Sequence, residues 1–262
     1  MATEILIKGI PSRVLPQGQT DFQREGIPVR LDRYGSLYVQ GEILKIHPLA
    51  DEGSYFLTNN GQIGITTALV TAFAALTPTM IIVNNDSPSN PAAKRLYLDY
   101  IELLVTVAGV ATAATATFAA VLTDQGNRFS SGGTNLSSNI VSPNQDNALR
   151  SSIGQVYFGG LTATAAQLPR TIVGQRMVRP AVSATATNVL QDVVRMEFGS
   201  TDTLPSIATG STGALQANIF QSSLKLPPVI IGPGQSILVY VWAPTAATTA
   251  TSYLPEIGWW ER

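Results

Sequence analysis

The chain has 262 residues, a formal net charge of −1 and no cysteine, and only 13% of its residues are charged, against roughly 25% in ordinary soluble domains. The near-neutral charge gives no electrostatic footprint for nucleic acid or an anionic membrane surface, and the lack of cysteine excludes disulfides and thiolate metal sites. Two interpretations of the scarce charge are open. The chain is either an ordinary secreted β-protein with a threonine-rich surface or a subunit covered by neighbours, because charges are depleted at interface cores.

The first 52 residues differ in composition from the rest. They hold 13 of the 33 charged side chains, whereas the other 210 residues share 20. Proline and glycine are spaced along this segment, so we predict an irregular extended arm at 1–52, either solvated or lying on a partner, followed by a β domain at 53–262. Residues 1–19 lack the apolar core of a signal peptide, so folding in a cytosol is expected.

From residue 53 onward the pattern is one of strands and turns. In 190–198 the side chains alternate, with Val194 and Met196 on one face and Arg195 on the other, as in a half-buried strand. Both faces of 236–242 are apolar, which is typical of a strand buried between two layers. Strand character recurs at 79–84, 95–107, 114–123, 152–158, 171–178, 190–198, 218–231, 235–242 and 252–260. This series, interrupted by Gly, Pro and Asn turns, predicts an all-β antiparallel sandwich of jelly-roll type.

Residues 94–123 could form a membrane span, a long helix or two strands. The uncharged part, 103–123, is rich in β-branched residues, which favour strands over helices. Its last part alternates, and Gly109 stands where a hairpin would turn. We therefore predict two long antiparallel strands joined as a hairpin, with no membrane span. The polar stretches 125–151 and 200–217 are predicted to be long surface loops.

Few residues could build a catalytic or metal site. His47 is the single histidine, and without a Gly-x-Ser-x-Gly elbow it is interpreted as a surface or interface residue rather than part of a hydrolase triad. One histidine and no cysteine do not suit zinc. Asp51 with Glu52, and Asp124 with Asn127, could offer oxygen ligands to calcium, but turn chemistry accounts for both pairs. The sequence predicts no enzyme, no cofactor and no metal site.

Trp259 and Trp260 are candidate interface residues. If the strand that contains them continues, their side chains point in opposite directions, so one is expected in the core and the other exposed or at a contact. Interface anchoring is plausible because tryptophan is enriched among binding hot spots. Packing under a neighbouring loop is the simpler interpretation.

Several segments together resemble a group of tailed-bacteriophage virion proteins. They are RYGSLYVQ (33–40), LADEGSYFLTNNGQIGI (49–65), NNDSPSNPAAKRLYLDYIELL (84–104), LTDQGNRFSSGGTNL (122–136), PPVIIGPGQSILVYVWAP (227–244) and SYLPEIGWWER (252–262). The similarity spans most of the chain from residue 33 onward, and these motifs carry no reaction chemistry. The resemblance implies a structural role in the virion, for a protein made in the cytoplasm of a bacterial host.

The leading hypothesis is a capsid decoration or cement protein that associates with copies of itself, as a homotrimer, and with other capsid proteins. In this hypothesis the arm contacts a neighbouring subunit or the shell through four arginines, Arg13, Arg24, Arg30 and Arg33. Neither nucleic acid nor a membrane is expected as a partner. The alternative is a receptor- or glycan-binding head or tail fibre module that contacts a host-surface glycan through the loops 125–151 and 200–217.

Overall fold

The computed structural model describes residues 50, 53–61, 63–70, 73, 76–111, 116–144, 151–165, 171–179, 188, 190–199, 207–209, 220–244 and 247–262. The predicted arm lies outside these residues apart from Ala50, so its boundary at residue 52 stays a prediction. The described chain forms two mostly antiparallel sheets and a short two-stranded ribbon, which confirms the prediction of an all-β sandwich. Within this part of the chain, no helix has the length and apolar character that crossing a membrane requires.

Sheet 1 contains nine strands, numbered in chain order together with those of the other sheet. Their bounds are β1 Tyr55–Asn59, β2 Ile65–Thr66, β4 Leu96–Val107, β8 Ile140–Val141, β11 Val193–Phe198, β12 Ile207–Thr209, β13 Phe220–Leu226, β14 Ile230–Ile231 and β17 Ser252–Glu261. The main path is β12-β13-β11-β4-β17-β1-β8, with β14 paired to β4 and β2 paired to β17. The β11–β13 pair is parallel, and the other pairs are antiparallel.

Sheet 2 contains six strands in the order β10-β6-β15-β3-β9-β7, all antiparallel to their neighbours. Their bounds are β3 Met80–Asn84, β6 Thr117–Asp124, β7 Phe129–Asn135, β9 Gly154–Ala163, β10 Thr171–Arg179 and β15 Ser236–Trp242. A separate ribbon pairs β5 Val110–Ala111 with β16 Ala247–Thr249. One turn of 3₁₀ helix spans Ser137–Asn139.

Eight of these strands are connected as a jelly roll. They pair in a nested way, first with last and then inward: β1 with β17, β3 with β15, β4 with β11, and β6 with β10. Two further pairings, β17 with β4 and β15 with β6, join the four pairs into two four-stranded antiparallel sheets. This is the order expected when one long antiparallel ribbon folds over itself, so the predicted jelly-roll type is confirmed. Strands β13, β12 and β8 extend sheet 1 at its edges, and β9 and β7 extend sheet 2.

The main core lies between the two sheets, because each strand turns alternate apolar side chains inward. From sheet 1, Ile101 and Leu103 of β4 are fully buried there, and from sheet 2, Ala119 and Val121 of β6 join the same cluster. On β11, Val194, Met196 and Phe198 are buried. They alternate with three half-buried residues that face outward: Val193, Arg195 and Glu197. The predicted alternation is therefore confirmed over Val193–Phe198, whereas Leu190 lies ahead of the strand and is 55% exposed.

The opposite face of sheet 2 is buried as well. Leu238, Tyr240 and Trp242 of β15 belong to a second apolar cluster that includes Val70. Phe73 packs on this cluster, with its ring centroid 4.8 Å from that of Tyr240. All seven residues of β15 are buried, which confirms the prediction of a strand between two layers.

The hairpin predicted for 95–107 and 114–123 is wrong in its pairing. Both segments contain strands, but β4 lies in sheet 1 between β17 and β11, whereas β6 lies in sheet 2 between β15 and β10. The apolar face of β4 packs across the sandwich on the face of β6 that carries Ala119 and Val121, so the two strands do not share an edge. Alternation identifies a strand and its buried face, but it does not identify the neighbouring strand.

The predicted loop 125–151 also contains regular structure. Strand β7, the 3₁₀ turn and β8 all lie within it. Strand β7 has the sequence FSSGGTN and is exposed along nearly its whole length, so no apolar alternation marks it in the sequence. Of the other predicted loop, 200–217, the structure describes only β12, and the remainder lies outside the described residues.

Candidate functional site

The strands of sheet 1 turn a second set of side chains away from the core. On β4, for example, Tyr97, Glu102 and Leu104 are half-buried and alternate with core residues. We call the outer face the set of outward-facing positions on six neighbouring strands: Tyr55, Tyr97, Asp99, Tyr100, Glu102, Leu104, Val193, Arg195, Glu197, Lys225, Ile230, Leu254, Glu256, Gly258 and Trp260.

This face concentrates the scarce charge of the domain. Of the 20 charged residues that follow residue 52, six lie here: Asp99, Glu102, Arg195, Glu197, Lys225 and Glu256. The two bases are on β11 and β13, and three of the four acids are on β4 and β17. The outer face is therefore polar across its width, with basic groups toward one side and acidic groups toward the other.

Two tyrosine–carboxylate hydrogen bonds order the centre of the outer face. The hydroxyl of Tyr55 donates to Asp99 Oδ2 at 2.8 Å, and that of Tyr100 donates to Glu256 Oε1 at 2.6 Å. A Cβ at Gly258 would lie 2.4 Å from the Tyr55 hydroxyl and 2.6 Å from Tyr100 Cε1, so this position has room only for glycine. Burial, with the hydrogen bond to its carboxylate partner as the next cause, raises the pKa of each tyrosine above the ordinary value.

A β-bulge brings Asp99 to its tyrosine partner. In the β4–β17 ladder, Tyr100 pairs with Gly258 and Leu98 pairs with Trp259, so Asp99 is the extra residue between them. Because the bulge inserts one residue, consecutive side chains of β4 can both contribute to the outer face. Sequence alternation alone does not predict this placement.

Arg195 of β11 links its strand to β4 on the outer face. Its Nη1 donates to Glu102 Oε2 of β4 at 2.7 Å, and its Nε donates to Glu197 Oε1 of its own strand, β11, at 2.9 Å. Its guanidinium carbon lies 4.7 Å from the centroid of the Tyr100 ring, within cation–π distance. Lys225 of β13 forms an ion pair with the other carboxylate oxygen of Glu197.

The two adjacent tryptophans lie on opposite faces of β17. Trp259 is fully buried, stacks on Phe56 in the core and donates its Nε1–H to Glu261 Oε1 at 3.2 Å. Trp260 is half-buried on the outer face, where it stacks parallel to Tyr97 with ring centroids 5.8 Å apart. Trp259 therefore acts in packing, and Trp260 is the member of the pair that a binding partner can reach.

The other residues singled out in the sequence separate into two groups. Arg13, Arg24, Arg30, Arg33 and His47 lie outside the described residues, as does the carboxylate pair at 51–52, so their roles stay predictions. Asp124 and Asn127 are described, and each has a structural partner.

Asp124 forms a buried ion pair with Arg128, and Asn127 Oδ1 accepts the backbone N–H of Phe129 at 2.9 Å, as in an Asx turn. The part of the chain that the structure describes contains no group of three or more His, Asp or Glu side chains arranged to hold a metal ion.

The residue types of the outer face suit protein contact. Trp, Tyr and Arg are the types most enriched among binding hot spots, and here they are held in place by hydrogen bonds and stacking. Sequence reasoning found Trp260 but missed Tyr97, Tyr100 and Arg195. The signal was present in LYLDYIELL, where aromatic and acidic residues alternate with leucine and isoleucine.

Comparison of the chain with protein-family models, with curated proteins and with solved structures finds no match. We therefore infer the function from the geometry of the sandwich and from the residues of its outer face.

The outer face is expected to make the fold sensitive to alkaline pH. The folded-state pKa values of Tyr55 and Tyr100 are raised above an unfolded value of about 10. This stabilisation is fully present below pH of about 10 and decreases as the pH rises further, because the unfolded chain loses protons that the folded chain retains. In urea unfolding across this pH range, the variant Tyr55→Phe/Tyr100→Phe should lose less stability than the parent. An equally steep loss in both proteins would contradict the prediction.

Proposed function

We propose that this chain is a structural, non-catalytic subunit of a bacteriophage particle: a decoration or cement protein on the capsid that associates as a trimer and with other capsid proteins. The observation that carries the proposal is a charge-poor jelly roll whose outer face presents Trp260, Tyr97 and Arg195 at its surface. Jelly rolls occur in viral capsid and lectin domains. The resemblance to tailed-phage virion proteins favours the capsid role.

The proposed mechanism is burial of weakly charged surface between subunits. At about 25 cal/mol per Å² of apolar area, an interface on the order of 1,600 Å² in total stabilises a complex substantially, although the entropy of association offsets much of this. Few charges have to be desolvated when surface other than the outer face is covered, since only 13% of the residues are charged and six of the 20 beyond residue 52 lie on that face. The charged arm would add contacts to a neighbouring subunit or to the shell.

Removal of residues 1–30 is expected to leave a folded sandwich that no longer joins particles. The deletion takes away Arg13, Arg24 and Arg30 but none of the described strands. Circular dichroism checks the fold, and quantitative mass spectrometry of purified particles gives the number of copies per particle. The matched control replaces Arg13, Arg24 and Arg30 with lysine in the full chain, which retains their charge. Unchanged incorporation of the deleted chain would contradict the proposed role of the arm.

A receptor- or glycan-binding module is the second candidate. The observation that favours it is the stacked pair of Trp260 and Tyr97 on the same face as the acidic side chains Asp99 and Glu256, because sugar rings stack on aromatic faces and their hydroxyls donate to carboxylates. Binding of a host polysaccharide by the purified protein, together with only a few copies per particle, would favour this candidate over the cement role.

A further inference from the structure

The outer face is organised in three neighbouring columns with β4 in the middle. Strand β17 lies on one side of β4, and β11 followed by β14 lies on the other. The pairing register aligns outward-facing side chains in four rows: Ile230, Tyr97 and Trp260; Glu197, Tyr100 and Gly258; Arg195, Glu102 and Glu256; Val193, Leu104 and Leu254. The two end rows are apolar or aromatic, and the third has a base on one side of β4 and an acid on the other.

We propose that the outer face binds the outer face of a second copy of this chain, about a two-fold axis that runs along β4. Rotation about an axis parallel to the strands leaves each row at the same height along the strands. It places the β11 and β14 column of one copy opposite the β17 column of the other. Trp260 then lies opposite Ile230 of the second copy, and Leu254 lies opposite Val193. Arg195 lies opposite Glu256. Residues on the axis, such as Leu104, meet their own counterparts.

The two end rows and the flanking positions of the third row match this symmetry. Ile230 is a large aliphatic residue that is nevertheless 50% exposed. In the proposed contact it faces the half-buried Trp260 of the second copy. Glu256 is exposed and uses Oε1 for Tyr100, which leaves Oε2 for a donor of the second copy. Arg195 has further N–H donors beyond its bonds to two carboxylates of its own chain. The two end rows thus meet apolar or aromatic partners and Arg195 meets Glu256, while Glu102 on the axis meets its own counterpart and keeps its ion pair with Arg195 of its own chain.

The size of the matched area sets the strength of the contact. With strands roughly 4.8 Å apart and outward residues roughly 6.8 Å apart along each strand, three columns and four rows cover on the order of 400 Å². Specific interfaces commonly bury about 800 Å² per partner. The pair therefore forms at high local concentration, such as on a crowded surface, and is weak in dilute solution. This inference stands independently of the proposed role in a particle.

Thiol crosslinking of the full chain tests the proposal. The chain has no cysteine, so Leu104→Cys introduces a single thiol on the axis. Facing sheets lie about 10 Å apart, which a short bismaleimide can span. We expect several-fold more covalent dimer from Leu104→Cys than from Met177→Cys, a control on β10 of sheet 2 whose side chain is 56% exposed. Adding Glu256→Arg to Leu104→Cys places two arginines opposite each other and should reduce the dimer several-fold.

Sedimentation equilibrium of the concentrated parent protein, which has no cysteine, measures self-association without crosslinking. This measurement also covers the case in which Leu104→Cys does not fold. There the parent should show self-association that Glu256→Arg weakens. Two results would overturn the proposal: crosslinking of Leu104→Cys no greater than that of the control, or association that Glu256→Arg leaves unchanged. Saturable binding of a host polysaccharide that Trp260→Ala abolishes, without any pairing of copies, would overturn it in favour of a glycan site.

Discussion

Replacing Trp259 with alanine is expected to lower the free energy of unfolding by about 3–5 kcal/mol, as is usual for a large aromatic side chain removed from a core. The indole is fully buried between the sheets and stacks on Phe56 with ring centroids 6.3 Å apart. Its Nε1–H also donates to the buried carboxylate of Glu261, so the substitution leaves both a cavity and an acceptor with one partner fewer. Because domains are stable by only about 5–15 kcal/mol, this loss is a large part of the total.

The adjacent Trp260→Ala variant is the matched control. Trp260 is half-buried and loses its stacking on Tyr97, so about 1 kcal/mol is expected. Urea unfolding followed by circular dichroism measures both variants under the same conditions. Equal losses from the two substitutions would contradict the assignment of one tryptophan to the core and the other to the outer face.

The tryptophan pair is an example of what the sequence alone predicts about this fold, namely which side of a strand each residue faces. Alternation along a strand requires adjacent residues to face opposite sides, and the structure agrees for Trp259 and Trp260. The same reasoning correctly assigned the buried face of β11 and the doubly buried β15. These features depend on local periodicity, which a single sequence contains.

Strand neighbours are a different matter, because they depend on residues far apart in the chain. The long strand β4 pairs with β17, about 150 residues later, and not with the next long strand, β6. For the same reason the outer face was only partly predictable: Tyr100 and Glu256 are 156 positions apart and meet only once the jelly roll has formed. The bulge at Asp99 adds a local break in alternation that no period of two anticipates.

The structure shows where the few charged residues of the chain lie, which the composition does not. The sequence led us to expect a domain with a weakly charged exterior. In the structure the scarce charges are concentrated: six lie on the outer face, while Asp124, Arg128, Arg179, Asp192 and Glu261 are buried. Buried charges need partners, because an isolated ion inside a protein is strongly destabilising. A chain with so few charges therefore uses several of them inside the fold, where single substitutions have large effects.

The buried pair of Asp124 and Arg128 is expected to be such a case, and removing either partner alone should cost about 3–5 kcal/mol. Both side chains are fully inaccessible to solvent. Asp124 ends β6, and Arg128 precedes β7. The Arg128 Nε donates to the carbonyl oxygen of Thr164 at 2.7 Å, and its backbone N–H donates to Ser236 Oγ at 3.1 Å. The pair thus ties the connection between β6 and β7 to two other parts of sheet 2.

The variant Asp124→Asn takes the negative charge away from the buried Arg128, and Arg128→Met takes the positive charge away from the buried Asp124, whereas the double variant removes both charges. The double variant should therefore lose less stability than the sum of the single losses, by an interaction energy of about 0.5–3 kcal/mol. Urea unfolding of the parent, both single variants and the double variant completes the cycle, and Lys225→Met in the half-buried ion pair with Glu197 at the surface is the control. Because surface ion pairs contribute only about 0–1 kcal/mol, that control should change little. Additive losses for Asp124 and Arg128 would mean that each side chain stabilises the fold through its other contacts, and that their charges do not depend on each other.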